Sequence, residues 1–136
     1  MILVDSSVWI DVLGNRDTPQ TEAFHQLLAD RFLIGVGDLI ATEILQGTRT
    51  DAEFAATLDT LRTFALVQVV DGDVAFEAAR HYRALRARGI TVRKTIDTLI
   101  ATRCILDGLP LLYADRDFDP FVAHCGLRSA MDLIPE

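Results

Sequence analysis

The sequence predicts an α/β fold, a three-layer α/β/α sandwich with a central, mainly parallel sheet of four to five strands, in a single domain over residues 1–136. Three observations carry this. Short apolar runs recur at Ile2-Leu3-Val4, 32–36, 66–70 and 111–114, each of strand length. Helical spacing fills the segments between them, as crossovers between parallel strands require. Two acids, Asp5 and Asp115, follow the first and last runs directly, at the strand ends where open α/β sheets place their chemistry.

Taken in order, residues 2–5 read as a buried strand and 6–13 as a short helix. Residues 14–19 form a loop by composition, after which Asp17 or Thr18 caps a helix with Pro19 in its first turn. Ala23, Phe24, Leu27 and Leu28 give that helix an apolar stripe to about Asp30. Strand 32–36 leads through Gly37-Asp38 into a helix over 39–46, closed by Gly47. A helix over 51–64 and a strand over 66–70 follow. Asp71 caps a long helix, 73–88, ended by Gly89. A further helix over 93–107 is stopped by Gly108 and Pro110. Strand 111–114, a short helix over 117–124 and an edge strand over 127–130 complete the chain.

Composition narrows the function classes. Half the residues are hydrophobic and 24% are charged, an ordinary globular balance. No apolar run is long enough to span a membrane, and the N-terminus lacks a secretory pattern, so a cytoplasmic protein is expected. Cys104 and Cys125 form no CxxC pair, and His25, His81 and His124 have no zinc-ligand spacing. The net charge of −7 argues against nucleic acid until its distribution is considered. Arg80, Arg83, Arg86, Arg88, Arg93, Lys94 and Arg103 share one window whose only acid is Asp97. Such a stretch can hold a phosphate backbone.

Most of the 20 acids fit helix ends or solvent faces, but four do not. Asp5 and Asp115 share a strand-end context and open on the same sheet edge. Glu43 lies within Leu39-Ile40-Ala41-Thr42-Glu43-Ile44-Leu45, and Asp97 within Ile96-Asp97-Thr98-Leu99-Ile100-Ala101. A carboxylate shielded from water needs a cation or several donors. Four acids able to reach one crevice, without an equal set of cations nearby in sequence, point to a metal. All-oxygen ligands suit Mg²⁺ or Mn²⁺ over zinc. Such a cation lowers the pKa of a bound water and neutralises the leaving oxygen in phosphodiester hydrolysis. Asp117 extends the acidic set as an auxiliary ligand. Ser6 and Thr98 are small donors able to orient a carboxylate or a water. Arg93, one helical turn before Asp97, can pair with that acid or aim at a phosphate held by the metal, and Lys94 (the only lysine) and Arg86 are further expected contacts to a phosphate backbone.

The segments Val4-Asp5-Ser6-Ser7-Val8-Trp9-Ile10-Asp11, Ala41–Gly47, Ile96–Ala101, Gly108–Leu112 and Asp115-Arg116-Asp117-Phe118 resemble, as an ordered set over nearly the whole chain, a PIN-domain nuclease. More closely they resemble the VapC toxins of toxin–antitoxin pairs. One departure is Ser6, where many relatives carry threonine. The resemblance implies Mg²⁺- or Mn²⁺-dependent cleavage of RNA, with tRNA or rRNA as expected substrates. It implies Asp5, Glu43, Asp97 and Asp115 as the catalytic acids, with Asp117 assisting. It also implies a homodimer and a small antitoxin that blocks the site.

Two other readings compete. A haloacid-dehalogenase-like phosphatase also begins with an acid after its first strand, but needs a second Asp where Ser7 stands. A non-catalytic module would bind RNA or a protein through the basic stretch without needing the acidic set.

Overall fold

The computed structural model describes residues 1–135. Four strands, β1 (Ile2–Val4), β2 (Ile34–Gly37), β3 (Ala65–Val67) and β4 (Leu111–Leu112), form one all-parallel sheet in the order β3-β2-β1-β4. Seven helices flank it: α1 (Ser6–Leu13), α2 (Pro19–Ala29), α3 (Asp38–Gln46), α4 (Asp51–Leu61), α5 (Gly72–Ala87), α6 (Thr95–Asp107) and α7 (Asp119–His124). Short 3₁₀ turns occupy Arg116–Phe118 and Ala130–Leu133. The result is the three-layer sandwich that the apolar runs predict.

β1 sits at the centre because it is apolar on both faces. Ile2, Leu3 and Val4 are all buried, as a strand covered by helices on both sides requires. It pairs Ile2 with Ile34 of β2 and Val4 with Leu112 of β4. Successive crossovers carry the chain outward from β1 to β2 to β3, and then back across β1 to β4. The strand order therefore reverses between β1 and β4, and ligands of open α/β sheets bind at such a reversal.

One helical group joins α1 to α2 and α3, and α3 to α4. Trp9 of α1 anchors it, meeting Phe24 and Phe64 edge-on with ring centroids 5.2 and 4.9 Å apart. The other group is the α5–α6 pair, which His81 and Thr102 link by a 2.9 Å hydrogen bond. Caps set the boundaries. Thr18 and Thr21 form a reciprocal capping box on α2, and Asp71 accepts from the Val74 N–H at the start of α5. Gly108 closes α6 at φ +65°, a conformation that L side chains adopt only at a cost.

Several boundaries differ from expectation. Phe32 and Leu33 lie outside β2 and are exposed, since pairing with β1 begins at Ile34. β3 and β4 are shorter than their apolar runs. The expected edge strand at 127–130 reduces to one bridge, Leu111 to Ser129, before the chain turns into a 3₁₀ helix. α6 starts at Thr95, not Arg93, because Lys94 is extended at φ −125°, ψ 121°.

Candidate metal centre

The acids collect where the strand order reverses. Asp5 ends β1 and is the N-cap of α1. Its Oδ2 accepts hydrogen bonds from the Ser7 hydroxyl at 2.6 Å and the Ser7 N–H at 3.1 Å. Ser7 Oγ also accepts from the Ala114 N–H at 3.2 Å, tying the start of α1 to the segment after β4. Asp5 is thus both a helix cap and a wall of the crevice. Ser7, rather than the expected Ser6, is the serine whose hydroxyl holds this carboxylate.

Asp115 comes from the other side of the reversal. One of its oxygens accepts from the Asp117 N–H at 2.9 Å and caps the 3₁₀ turn that carries Asp117. Asp97 enters from the first turn of α6 and is buried. Carboxylate oxygens of Asp97, Asp115 and Asp117 all lie within 4.8 Å of one another. Glu43, on α3, is near enough to Asp5 and Lys94 to feel both charges. Asp5 and Glu43 belong to the same electrostatic neighbourhood, although neither completes the tight triad.

Crowding and burial leave these acids poorly compensated. Burial first, and then the charges of Asp5, Asp115 and Asp117, push the Asp97 carboxyl up to about 7, against the pull of Lys94. Burial also raises Asp5, opposed by the Ser7 hydrogen bonds and reinforced by Asp115. Glu43 is raised by burial and by Asp5, and lowered by Lys94. Glu43 Oε1 and Asp97 Oδ2 are buried without a hydrogen-bond partner. Orphaned carboxylate oxygens are costly in a protein interior unless a cation satisfies them.

The residues present fit a divalent cation. The three donors are all carboxylate oxygens, and Asp97 carries an orphaned one. The 4.8 Å span is close to the separations of about 3–4 Å that opposed and adjacent ligands of an octahedral Mg²⁺ show.

The expected basic contacts separate into different roles. Arg93 does not stand over Asp97. It precedes α6, and its Nη2 donates to both oxygens of Asp117, at 3.0 and 2.9 Å. Lys94 lies close enough to Asp97 and Glu43 to favour their charged forms. Arg86 is exposed on the last turn of α5, with its guanidinium 5.7 Å from the Tyr82 ring centroid, and touches none of the acids. Partners for the basic window come from outside it. Arg80 pairs with Glu77, and Arg103 is largely buried between Asp71 and Asp107. Arg103 also donates to the Val69 carbonyl, so it braces the fold and faces no backbone phosphate. Thr98 Oγ1 is buried without a partner, so it makes no hydrogen bond to the acids it was expected to orient. Ser7 was missed in the sequence, although the N-cap rule points to it. An acid at the N-cap receives the N–H two or three residues on, which from Asp5 is Ser7 or Val8.

A parallel sheet with carboxylates gathered at its point of strand reversal is an arrangement able to set a divalent cation against phosphate oxygens. Comparison with known proteins makes this specific. The PIN domain family model matches residues 2–121. VapC ribonuclease Mb1587 of Mycobacterium bovis is 33% identical over 132 residues, covering 96% of this chain and 98% of that protein. Ribonuclease VapC11 of Mycobacterium tuberculosis matches to the same extent. The chain belongs to the PIN-domain family, among its VapC members. Among solved structures, a chain of the VapBC2 complex of Rickettsia felis, bound to a DNA fragment from its promoter, superposes with a TM-score of 0.75 at 16% identity, covering 95% of this chain and 97% of that one. A chain of a toxin–antitoxin complex from Klebsiella pneumoniae gives 0.65 at 18% identity, covering 96% and 98%. At these identities the structural matches speak for the fold.

Proposed function

We propose that this protein is a divalent-metal-dependent endoribonuclease and the toxin of a toxin–antitoxin pair, acting as one PIN-like unit over residues 1–136. The observation that carries this is the convergence of Asp97, Asp115 and Asp117 on one point, with an orphaned Asp97 oxygen among them. The relatives named as ribonucleases support RNA as substrate, with tRNA or rRNA as the expected targets. The structural neighbours taken from toxin–antitoxin complexes support a small inhibitory partner. A homodimer in the cytoplasm completes the reading.

In this reading Asp97, Asp115 and Asp117 would hold Mg²⁺ or Mn²⁺ together with Asp5, and Glu43 adds a further carboxylate near Asp5. The cation, when bound, acidifies a water and neutralises charge on the phosphate oxygens. The chain's own residues do the rest. Ser7 fixes the Asp5 carboxylate and, through the Ala114 N–H, the spacing of the two strand ends. Lys94 offsets the crowding of Asp97 and Glu43. Lys94 and Arg93 supply positive charge beside the acids and Arg86 adds exposed charge at the end of α5 for RNA phosphates, which makes binding salt-sensitive. A purely binding module has no use for shielded, orphaned carboxylates, and a dehalogenase-like phosphatase lacks its second acid at Ser7.

The test is expression in a bacterial host with and without the adjacent small open reading frame, followed by mapping of RNA ends. The reading predicts growth arrest relieved by the neighbour and one dominant cut site. Growth arrest without new RNA ends would overturn it.

A further inference from the structure

Arg93 occupies an unusual position for a residue expected to face RNA. A single guanidinium nitrogen, Nη2, lies almost equidistant from the two Asp117 oxygens, at 3.0 and 2.9 Å. Whichever of the two oxygens faces Asp97 and Asp115 is therefore already engaged by Nη2. The Asp117 side chain is 19% exposed, whereas Arg93 is 74% exposed. The arginine therefore reaches in from solvent to a carboxylate that is otherwise sheltered. Asp117 is also one of the three acids whose oxygens converge. Asp117 thus has two suitors, the exposed guanidinium from the loop before α6 and an inorganic cation at the triad.

We propose that Arg93 is a built-in counter-cation for Asp117, a latch that competes with the divalent cation for this carboxylate and sets how tightly the triad binds it. The proposal rests on the metal-centre reading above. Its physical basis is repulsion. Each acid offers one oxygen to the triad, and whichever oxygen Asp117 offers also accepts from Nη2, so a cation there shares that oxygen with a second positive centre, and the two repel. Cation binding therefore works against the Arg93–Asp117 pair, and the exposed arginine side chain can leave into water. The opposing free energy is that of a surface ion pair, so the effect on affinity is modest. Arg93 is a positioning residue in this scheme, acting on the cation through Asp117.

Mn²⁺ binding to the purified full chain, followed by calorimetry and by the paramagnetic resonance signal of free Mn²⁺, tests this without any substrate. The variants are Arg93→Ala, Asp117→Asn and the two combined. The latch predicts that Arg93→Ala binds Mn²⁺ about two- to fivefold more tightly than wild type. It also predicts that the gain disappears in the Asp117→Asn background, because the two residues act as one unit. Unchanged affinity in Arg93→Ala overturns the latch. A gain that persists with Asp117→Asn also overturns it, showing only a general field of positive charge. Wild-type protein that binds no Mn²⁺ at all would instead remove the metal centre itself, and the latch with it.

Discussion

At Asp97, several effects meet in one side chain. Burial and the neighbouring acids raise its carboxyl from 3.8 to about 7. The folded chain therefore retains a proton that the unfolded chain releases, across the window between those two values. It follows that the metal-free fold loses stability as pH rises through that window, with the loss complete above it. Replacing the charge should reverse this. Asp97→Asn is expected to raise metal-free stability at pH 8 by about 1–2 kcal/mol in urea denaturation, and to leave it nearly unchanged at pH 4. A loss of stability at pH 8 would show that the carboxylate is compensated by other means. Proton and cation compete for the same oxygens, so Mn²⁺ affinity should climb with pH and level off above about 7. Ser7 carries the second residue-scale prediction. Ser7→Ala removes the 2.6 Å bond to Asp5 and the acceptor for the Ala114 N–H. Cation affinity should fall about tenfold or more, and stability by about 1 kcal/mol, both measurable on the purified variant. The positions of Asp5, Asp97 and Asp115 were legible because an acid inside or after an apolar run stands out. The choice between Ser6 and Ser7 turned on cap geometry, and Arg93 turned on where a helix begins.

At the scale of elements, β2 is the most constrained segment. A Cβ on Gly37 would lie 2.9 Å from Val69 Cγ2 and 3.1 Å from Ile40 Cδ1. Both neighbours are fully buried, and valine is stiff at χ1. Gly37→Ala should cost about 1–3 kcal/mol, seen as a lower denaturation midpoint. A neutral result would mean that α3 can shift away from the sheet edge. Apolar runs and caps made most elements readable: Thr18, Asp71 and Gly108 mark helix ends where the structure has them. The errors share a cause. Strand length depends on how many residues the neighbour can pair, and β4 finds only Leu3 and Val4 opposite it. Likewise Lys94 gives no side-chain cap to α6, so nothing in the local sequence announces that the helix starts at Thr95.

For the whole molecule, charge placement matters more than net charge. Three cations of the basic window, Arg80, Arg93 and Arg103, pair with acids outside it. Contacts this distant, up to the 34 residues between Val69 and Arg103, are invisible to a count within a window. The consequence is a division of labour. Arg103→Ala should destabilise the fold by about 1–3 kcal/mol, since it removes a buried side chain and leaves the Val69 carbonyl without its donor, whereas Arg86→Ala should leave stability unchanged and weaken RNA binding. Equal stability loss in both would erase the distinction. The sandwich itself and the convergence of acids at the β1–β4 reversal follow from strand order, which short apolar runs and their crossovers foreshadow. Among the described residues, no helix is long and apolar enough to cross a membrane. The central claim is that carboxylates at this reversal hold a cation that cuts RNA. Cleavage of total RNA by purified wild-type protein and by Asp97→Asn, each with Mg²⁺ and with a chelator, tests it most directly. The account predicts cleavage only by wild type with Mg²⁺, with the variant reduced by about 100-fold or more. Cleavage that survives the chelator, or that Asp97→Asn retains in full, would contradict it.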